Sequence, residues 1–166
     1  MFAESFLEQL ARAEVAFVIV GGLAMQLHGF QRMTYDLDLV LAMQSDNLTK
    51  FVAVAKRFGL QPTVPVPIES LQDPVLIDEW YREKGMLAFS LREPGAGGYV
   101  VDILVRPEVS FIELLAQSTH AKINDESVGI ASVEHLLIMK RIAGRPKDLL
   151  DIAALEKIQK GQDPNG

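Results

Sequence analysis

The sequence predicts an α/β (α+β) fold, in which a short, mixed and twisted sheet has helices packed chiefly on one face. Three successive stretches support this prediction. Val15–Val20 is apolar and rich in β-branched residues, which suits a buried strand. Leu23–Leu27 is a compact apolar run that fits one or two turns of helix. Asp36–Leu41 alternates with a period of two at its start, so its two aspartates leave a strand on the same face.

Length and composition narrow the class of protein. The 166 residues suffice for one domain with a sizeable core, and we predict a single domain over residues 1–160 and a disordered tail at residues 161–166. Cysteine is absent, which excludes disulfides and thiolate chemistry. No apolar run approaches the ~20 residues of a membrane helix, and no signal peptide is recognisable, so we expect a cytoplasmic protein with no membrane partner. The net charge of −6 argues against a broad nucleic-acid-binding surface.

The remaining segments supply further helices and strands. Ile68–Lys84 fits either a helix or a loop with an apolar anchor, and Trp80 within it fits core or rim packing better than base stacking. Met86–Leu91 and Tyr99–Val105 predict an antiparallel hairpin, closed by a turn at Arg92–Gly98. The other expected elements are helices at residues 5–13, from 45 to Gly59, from 107 to 115 and on both sides of Gly144–Pro146, and short strands at 121–123 and 128–130.

Two motifs indicate chemistry. Gly21 and Gly22 allow a sharp turn and a close approach of the backbone to a ligand, and a helix that starts there would direct free N–H groups at an anion. Asp36 and Asp38 would repel each other unless a cation lay between them. A phosphate-binding turn that faces a divalent-cation site is typical of proteins that act on nucleotides.

These residues carry a resemblance to a known family. The glycine pair, a helix, Arg32 and Thr34, and then Asp-x-Asp at the start of a strand resemble the nucleotidyltransferase (polymerase-β-like) superfamily. The form is most similar to the small prokaryotic branch that contains the AbiEii-type toxins. The resemblance returns at Val100–Val105 and at Glu134–Leu155. It implies a nucleotidyltransferase fold.

The resemblance also implies a complete site. Asp102 corresponds to the third carboxylate of a triad that binds Mg²⁺ or Mn²⁺. An aspartate in an apolar strand is costly to bury alone, although a position at an exposed sheet edge would avoid that cost. The implied metal ligands and catalytic residues are Asp36, Asp38 and Asp102, and the implied nucleotide-binding residues are Gly21, Gly22, Arg32, Thr34, Lys140 and Asp148.

Several of these residues also have a simpler interpretation. Arg32 fits a surface ion pair equally well, and Lys140 and Asp148 fit a structural role. Asp148 and Asp151 are also favourable acids for the first turn of a helix. His28 fits packing at a helix end better than a general base.

The leading functional prediction is metal-dependent transfer of a nucleoside monophosphate from an NTP to an acceptor hydroxyl. The resemblance implies RNA or tRNA as acceptor, with a partner protein as acceptor in antitoxin-type relatives and a small molecule in antibiotic-modifying relatives. It also implies a cognate toxin or antitoxin partner. The alternative is a catalytically idle nucleotide-binding or antitoxin-type subunit of a protein complex.

Overall fold

A computed structural model of the chain describes residues 1–95 and 97–166. Seven strands and seven α-helices lie within these residues, with short 3₁₀-helices at Ile68–Gln72 and Pro146–Asp148. The strands are β1 (Phe17–Val20), β2 (Asp36–Leu41), β3 (Gln61–Pro62), β4 (Ala88–Arg92), β5 (Val100–Leu104), β6 (Thr119–Ile123) and β7 (Glu126–Ile130). The helices are α1 (Phe2–Arg12), α2 (Gly21–Leu27), α3 (Ser45–Arg57), α4 (Pro74–Lys84), α5 (Phe111–Ala116), α6 (Val133–Ala143) and α7 (Leu149–Gln159).

The described strands form one mixed sheet in the order β3-β4-β5-β2-β1-β7-β6. β2 runs antiparallel to β1 and parallel to β5, and β1 runs parallel to β7. The predicted hairpin is confirmed as the antiparallel pair β4–β5, with Ser90 opposite Asp102. Ala96, in its predicted turn, lies outside the described residues. The mixed sheet and its helices confirm the predicted fold class.

Aromatic side chains join α1 to α3. Phe6 is fully buried, and its ring centroid lies 6.1 Å from that of Phe51 and 5.2 Å from that of Phe58, both edge-on. Such pairs add roughly 0.5–1.5 kcal/mol to the free energy gained by burying their area. Trp80 is partly buried against the same core, which confirms packing as its role.

The structure refines three expectations about local structure. α3 begins at Ser45 as predicted; Gln44 is its N-cap residue, and the side chain of Asp46 accepts a hydrogen bond from the backbone N–H of Asn47 at 2.9 Å. The predicted helix from Pro107 starts only at Phe111, because the side chain of Ser110 caps that helix by accepting a hydrogen bond from the backbone N–H of Glu113. The ambiguous stretch at residues 68–84 is a 3₁₀-helix followed by α4.

The tail at residues 161–166 is expected to be disordered, and in the structure it makes specific contacts. The side chain of Asn165 accepts a hydrogen bond from the backbone N–H of Gln31 at 2.7 Å and donates one to the carbonyl of Gly29 at 3.0 Å. Among the described residues, no helix has the length and apolar character needed to cross a membrane.

Candidate active site

Two of the predicted catalytic carboxylates lie side by side. Asp38 on β2 and Asp102 on β5 are directly opposite each other in the parallel register of the two strands. Asp36, at the start of β2, is exposed, whereas Asp38 and Asp102 are partly buried. Asp38 and Asp102 both line a cleft of about 370 Å³. The sheet register therefore brings together residues that are 64 positions apart in the chain.

The electrostatics of Asp38 follow from this arrangement. Burial raises the pKa of Asp38 to about 7, with further contributions from the negative charges of Asp102 and Asp36 and from a hydrogen bond with Asp102. The positive charge of Lys140 acts in the opposite direction. A cation between Asp38 and Asp102 would offset their mutual repulsion, which adds to the effect of burial on this pKa.

Ser90 supports the third carboxylate, a role that the sequence analysis missed. Its hydroxyl on β4 donates a hydrogen bond to Oδ1 of Asp102. The available signal was the predicted hairpin, since a serine in an otherwise apolar strand can face the aspartate of the paired strand.

The two glycines differ in their surroundings. Gly21 lines the cleft and has a φ of +70°, and a Cβ added to it would overlap the carboxylate of Asp38. Gly22 is buried, and a Cβ on it would lie 3.0 Å from Cβ and Oγ1 of Thr34. Gly21 therefore leaves room for the Asp38 carboxylate, and Gly22 leaves room for the loop that contains Thr34.

Arg32 and Thr34 lie next to the cleft residues but do not line the cleft. Arg32 forms an ion pair with Asp151 of α7. The hydroxyl of Thr34 accepts a hydrogen bond from the backbone N–H of Asp36 at 3.3 Å and donates one to its carbonyl at 3.1 Å. Thr34 thus fixes the backbone where β2 begins.

Lys140 and Asp148 belong to a partly buried ion network. Nζ of Lys140 lies 3.3 Å from Oδ1 of Asp148 and 2.9 Å from Oδ2 of Asp151. The side chain of Arg145 donates two hydrogen bonds to Asp148, at 2.9 and 3.2 Å. Arg32, Lys140 and Arg145 thus share two carboxylates, which gives the network a formal charge of +1 next to the acidic pair.

Asp148 is only 1% exposed and is the centre of this network. Burial by itself would raise the pKa of Asp148, but hydrogen bonds from Arg145 and the charge of Lys140 outweigh it and lower the pKa. Asp148 therefore stays ionised and holds Lys140 and Arg145 in place. Asp148 does not itself line the cleft, but it pairs with the two basic residues that do.

The cleft has one acidic, one basic and one apolar part. Lys140 and Arg145 supply the positive charge of the cleft. Glu108 contributes a further carboxylate to its lining. The sequence analysis missed Glu108 because this residue belongs to no recognisable motif. The cleft is lined by Val20, Gly21, Asp38, Leu87, Ala88, Asp102, Leu104, Glu108, Leu136, Met139, Lys140, Ala143 and Arg145.

Comparisons with known proteins address the fold. No protein-family model matches the sequence, and no curated protein matches it significantly. Solved structures do match. An antigenic nucleotidyltransferase-like protein from Paracoccidioides brasiliensis is 22% identical with a TM-score of 0.54, over 93% of this chain and 73% of that one.

The antibiotic-resistance factor ANT(2″)-Ia matches in two structures. Its solution structure gives a TM-score of 0.58 at 12% identity, over 96% of this chain and 85% of that one. Its crystal structure in complex with adenylyl-2″-tobramycin gives 0.58 at 14% identity, over 97% and 91%. This chain has the nucleotidyltransferase fold.

The donor atoms in this nucleotidyltransferase fold suit a hard cation. Carboxylate oxygens are the ligands that Mg²⁺ and Mn²⁺ prefer, and Mg²⁺ is commonly bound by one or two carboxylates together with substrate phosphates. Asp38 and Asp102 meet that description. Within residues 1–95 and 97–166, no three His, Cys, Asp or Glu side chains converge as ligands of one ion. The residues fit a cation that is completed by substrate phosphates.

Two other residues near the motif lie outside the lining of the cleft. Nε2 of His28 lies 2.8 Å from the carbonyl oxygen of Ala131, so His28 packs at the end of α2 as expected. Tyr35 is 70% exposed and lies next to Asp36.

Proposed function

We propose that this protein transfers a nucleoside monophosphate from an NTP to an acceptor hydroxyl. The observation that carries the proposal is the pairing of Asp38 with Asp102 in one cleft with Gly21, Lys140 and Arg145, within the nucleotidyltransferase fold. The two carboxylates can accept the proton of an incoming hydroxyl, and the side chains of Lys140 and Arg145 can bind phosphates. Nucleotidyl transfer requires both kinds of group around one phosphorus atom.

The transfer itself is a displacement at the α-phosphorus. The acceptor oxygen forms a new bond to this atom, the bond to the oxygen that leads to the β-phosphorus breaks, and pyrophosphate leaves with that oxygen. The proton of the acceptor hydroxyl passes to the carboxylate of Asp102. Lys140 and Arg145 bind the phosphate oxygens, and Asp148 and Asp151 hold these cations in place.

A divalent cation belongs to the proposal. One Mg²⁺ or Mn²⁺ held by Asp36, Asp38 and substrate phosphates would neutralise phosphate charge, and a second, reached also by Asp102, would lower the pKa of the acceptor hydroxyl. In this proposal the backbone approaches the phosphates at Gly21 and Gly22. Arg32 and Thr34 would act from the loop next to the cleft.

RNA or tRNA is the proposed acceptor, through the resemblance to AbiEii-type toxins and the four cations between Lys140 and Lys147. A toxin or antitoxin partner belongs to the same proposal. The net charge of −6 opposes a broad RNA surface, so the contact would be local. The structural neighbour that is bound to adenylyl-2″-tobramycin makes small hydroxyl compounds a further class of acceptor to assay.

Covalent labelling tests the proposal. The protein is incubated with Mg²⁺ and each α-³²P-labelled NTP, with total RNA, cell-extract protein or hydroxyl-rich small molecules in separate reactions. Wild type should transfer label, because the α-phosphorus is retained on the acceptor. Asp38→Asn and Asp102→Asn should lower transfer by about 10²-fold or more. The exposed turn variant Asp125→Asn is the matched control and should keep full activity.

The second candidate is a catalytically idle nucleotide-binding subunit. It is favoured by the lack of three convergent metal ligands among the described residues. This candidate predicts that wild type binds Mg²⁺–NTP without labelling any acceptor. Transfer by wild type that persists in Asp102→Asn would contradict both candidates, because the active site would then lie elsewhere.

A further inference from the structure

The loop of residues 28–35 connects α2 to β2 and has no regular secondary structure. It contains Arg32 and Thr34 and leads directly to Asp36. A segment without a backbone ladder depends on other contacts for a fixed position. The contacts of this loop therefore decide how the residues before Asp36 are placed.

Asn165 makes two of these contacts from the far end of the chain. Its Oδ1 accepts a hydrogen bond from the backbone N–H of Gln31 at 2.7 Å. Its Nδ2 donates one to the carbonyl of Gly29 at 3.0 Å. Because the amide uses both its acceptor and its donor on one loop, it fixes the orientation of the loop as well as its distance.

The segment that contains Asn165 is itself held in place. The backbone N–H of Asn165 donates to Oδ1 of Asp163 at 2.9 Å, and the backbone N–H of Gln162 donates to the carbonyl of Lys157 at 2.8 Å. Nζ of Lys157 donates to the carbonyl of Gly166 at 2.7 Å. Asn165 is thus fixed relative to the C-terminal end of α7.

The opposite end of α7 holds the same loop. Asp151, in the first turn of α7, pairs with Arg32. A third contact comes from α2, where Nε2 of Gln26 donates to the carbonyl of Arg32. The loop is therefore fixed between α2 and the two ends of α7.

This arrangement connects the loop to the cleft by two routes. Asp151 also contacts Nζ of Lys140 at 2.9 Å, and Lys140 lines the cleft with Asp38. Thr34 hydrogen bonds with the backbone of Asp36, so a displacement of the loop would also move the start of β2. Loss of the Asn165 contacts would then disturb the positive and the negative side of the cleft together.

We propose that Asn165 is a positioning residue for the nucleotide site. It holds the loop of residues 28–35, and through that loop it fixes Arg32 and the backbone at Asp36 without touching the nucleotide. The role in nucleotide binding rests on the proposed function, whereas the fixed position of the loop does not depend on it.

The test compares three variants with wild type. Asn165→Ala removes both hydrogen bonds. Asn165→Asp keeps an acceptor for the N–H of Gln31 and loses the donor to Gly29. Gln162→Ala, an exposed side chain in the same segment, is the matched control. Amide hydrogen exchange of residues 29–36 is measured without nucleotide, and the Kd for Mg²⁺ with α,β-methylene-ATP and with α,β-methylene-GTP is measured by calorimetry.

Asn165→Ala should accelerate exchange in residues 29–36 alone and raise the nucleotide Kd by about twofold to tenfold, the range expected for one or two hydrogen bonds. Asn165→Asp should fall between Asn165→Ala and wild type, and Gln162→Ala should match wild type. Unchanged exchange in Asn165→Ala would overturn the fixed loop. Faster exchange with a wild-type Kd would overturn the role in nucleotide binding.

The two proposals can fail separately. Wild type that binds neither analogue would contradict the proposed function and the nucleotide role of Asn165 together. The exchange data, recorded without nucleotide, would still decide whether Asn165 holds the loop.

Discussion

At the scale of single residues, the site depends on a close contact between a glycine and a carboxylate. Gly21 has a φ of +70°, and the Asp38 carboxylate occupies the space that a side chain at residue 21 would need. Asp38 in turn is partly buried beside Asp102 and carries a raised pKa. Substitution of Gly21 or of Asp38 should therefore change the free energy of unfolding, which can be measured without an activity assay.

Asp38→Asn should change how stability depends on pH. The pKa of Asp38 is about 7 in the folded protein and 3.8 in the reference state. Between these values the folded protein binds more protons at this site than the unfolded chain, so the contribution of Asp38 to the free energy of unfolding falls as pH rises. Without metal, Asp38→Asn should be more stable than wild type near pH 8, by at most about 4 kcal/mol, and the gain should vanish near pH 4.

Urea unfolding at several pH values measures this difference, with Asp125→Asn as the exposed control. A stability gain in Asp38→Asn that is equal at pH 4 and pH 8 would contradict the raised pKa. Added Mg²⁺ with NTP should instead stabilise wild type more than Asp38→Asn, because the variant lacks one of the two paired carboxylates.

Gly21→Ala should destabilise the fold through both backbone strain and overlap with Asp38. Gly85 has a φ of +65° with no atom within 4 Å of its added Cβ, so Gly85→Ala measures the strain alone. We expect about 1 kcal/mol from strain and at least about 1 kcal/mol more at Gly21. Combining Gly21→Ala with Asp38→Ala should recover part of the loss, since the overlapping atoms belong mainly to the Asp38 carboxylate. Equal losses at Gly21 and Gly85 would rule out the overlap.

Gly22→Val is expected from the sequence to weaken NTP binding while the fold stays native-like. The structure adds a competing effect, because the side chain at residue 22 would press on Thr34. Circular dichroism and nucleotide titration of Gly22→Val separate the packing role of Gly22 from its phosphate role. An unfolded variant indicates a packing role. A folded variant with weakened NTP binding supports the phosphate role.

At the scale of elements, α6 and α7 meet through the ion network around Asp148. Asp148 is buried and lies between Arg145 and Lys140, whereas the pair of Arg141 and Glu156 on the same helices is largely exposed. When one partner of a buried ion pair is removed, water cannot take its place, and the remaining charge is left buried without a partner. The two pairs therefore offer a comparison within one interface.

Asp148→Asn should lower the free energy of unfolding by about 2–3 kcal/mol, less than the full cost of breaking a buried pair because Arg145 remains half-exposed. Glu156→Gln should cost no more than about 1 kcal/mol.

The pKa of Asp148 is lowered, so the stabilisation that Asp148 provides is complete above the usual carboxylate range and is lost as pH falls through the lowered pKa. Denaturant unfolding at pH 7 and below pH 4 checks both statements, and a large effect of Glu156→Gln would contradict the ranking.

At the scale of the whole molecule, one sheet and α6 enclose a cleft with carboxylates on one side and cations on the other. The sheet order places β1, β2 and β5 next to one another, so Gly21, Asp38 and Asp102 follow in sequence across it. A ligand that carries both a cation and phosphates would contact every one of these elements. Binding should therefore stabilise the molecule as a unit.

Mg²⁺ with NTP should raise the melting temperature of wild type more than either component alone. A ligand present at about 100 times its Kd adds about 2.7 kcal/mol, which corresponds to a shift of roughly 5–10 °C for a domain of this size. Asp38→Asn and Lys140→Ala should show much smaller shifts, and the exposed variant Glu156→Gln should show the full shift. Equal shifts in wild type and Asp38→Asn would remove the metal-site assignment from this cleft.

The sequence alone was sufficient to predict the fold class, the hairpin of β4 and β5 and the strand, glycine turn and helix that precede Asp36–Leu41. These features depend on local patterns: the alternation in Asp36–Leu41, the conformational freedom of Gly21 and Gly22, and the turn residues after Arg92. Local patterns can be read because each depends on neighbours only a few positions away.

Only the tertiary structure decided which side chains meet. Asp38 lies beside Asp102 because of the strand register, and Arg32 pairs with Asp151, 119 residues away, because α7 packs next to the loop. Glu108 lines the cleft from the segment between β5 and α5, which carries no motif, and Asn165 reaches the loop from a segment whose composition predicts disorder. These contacts depend on long-range packing, in which many small burial terms together choose one arrangement, and no short stretch of sequence contains that information.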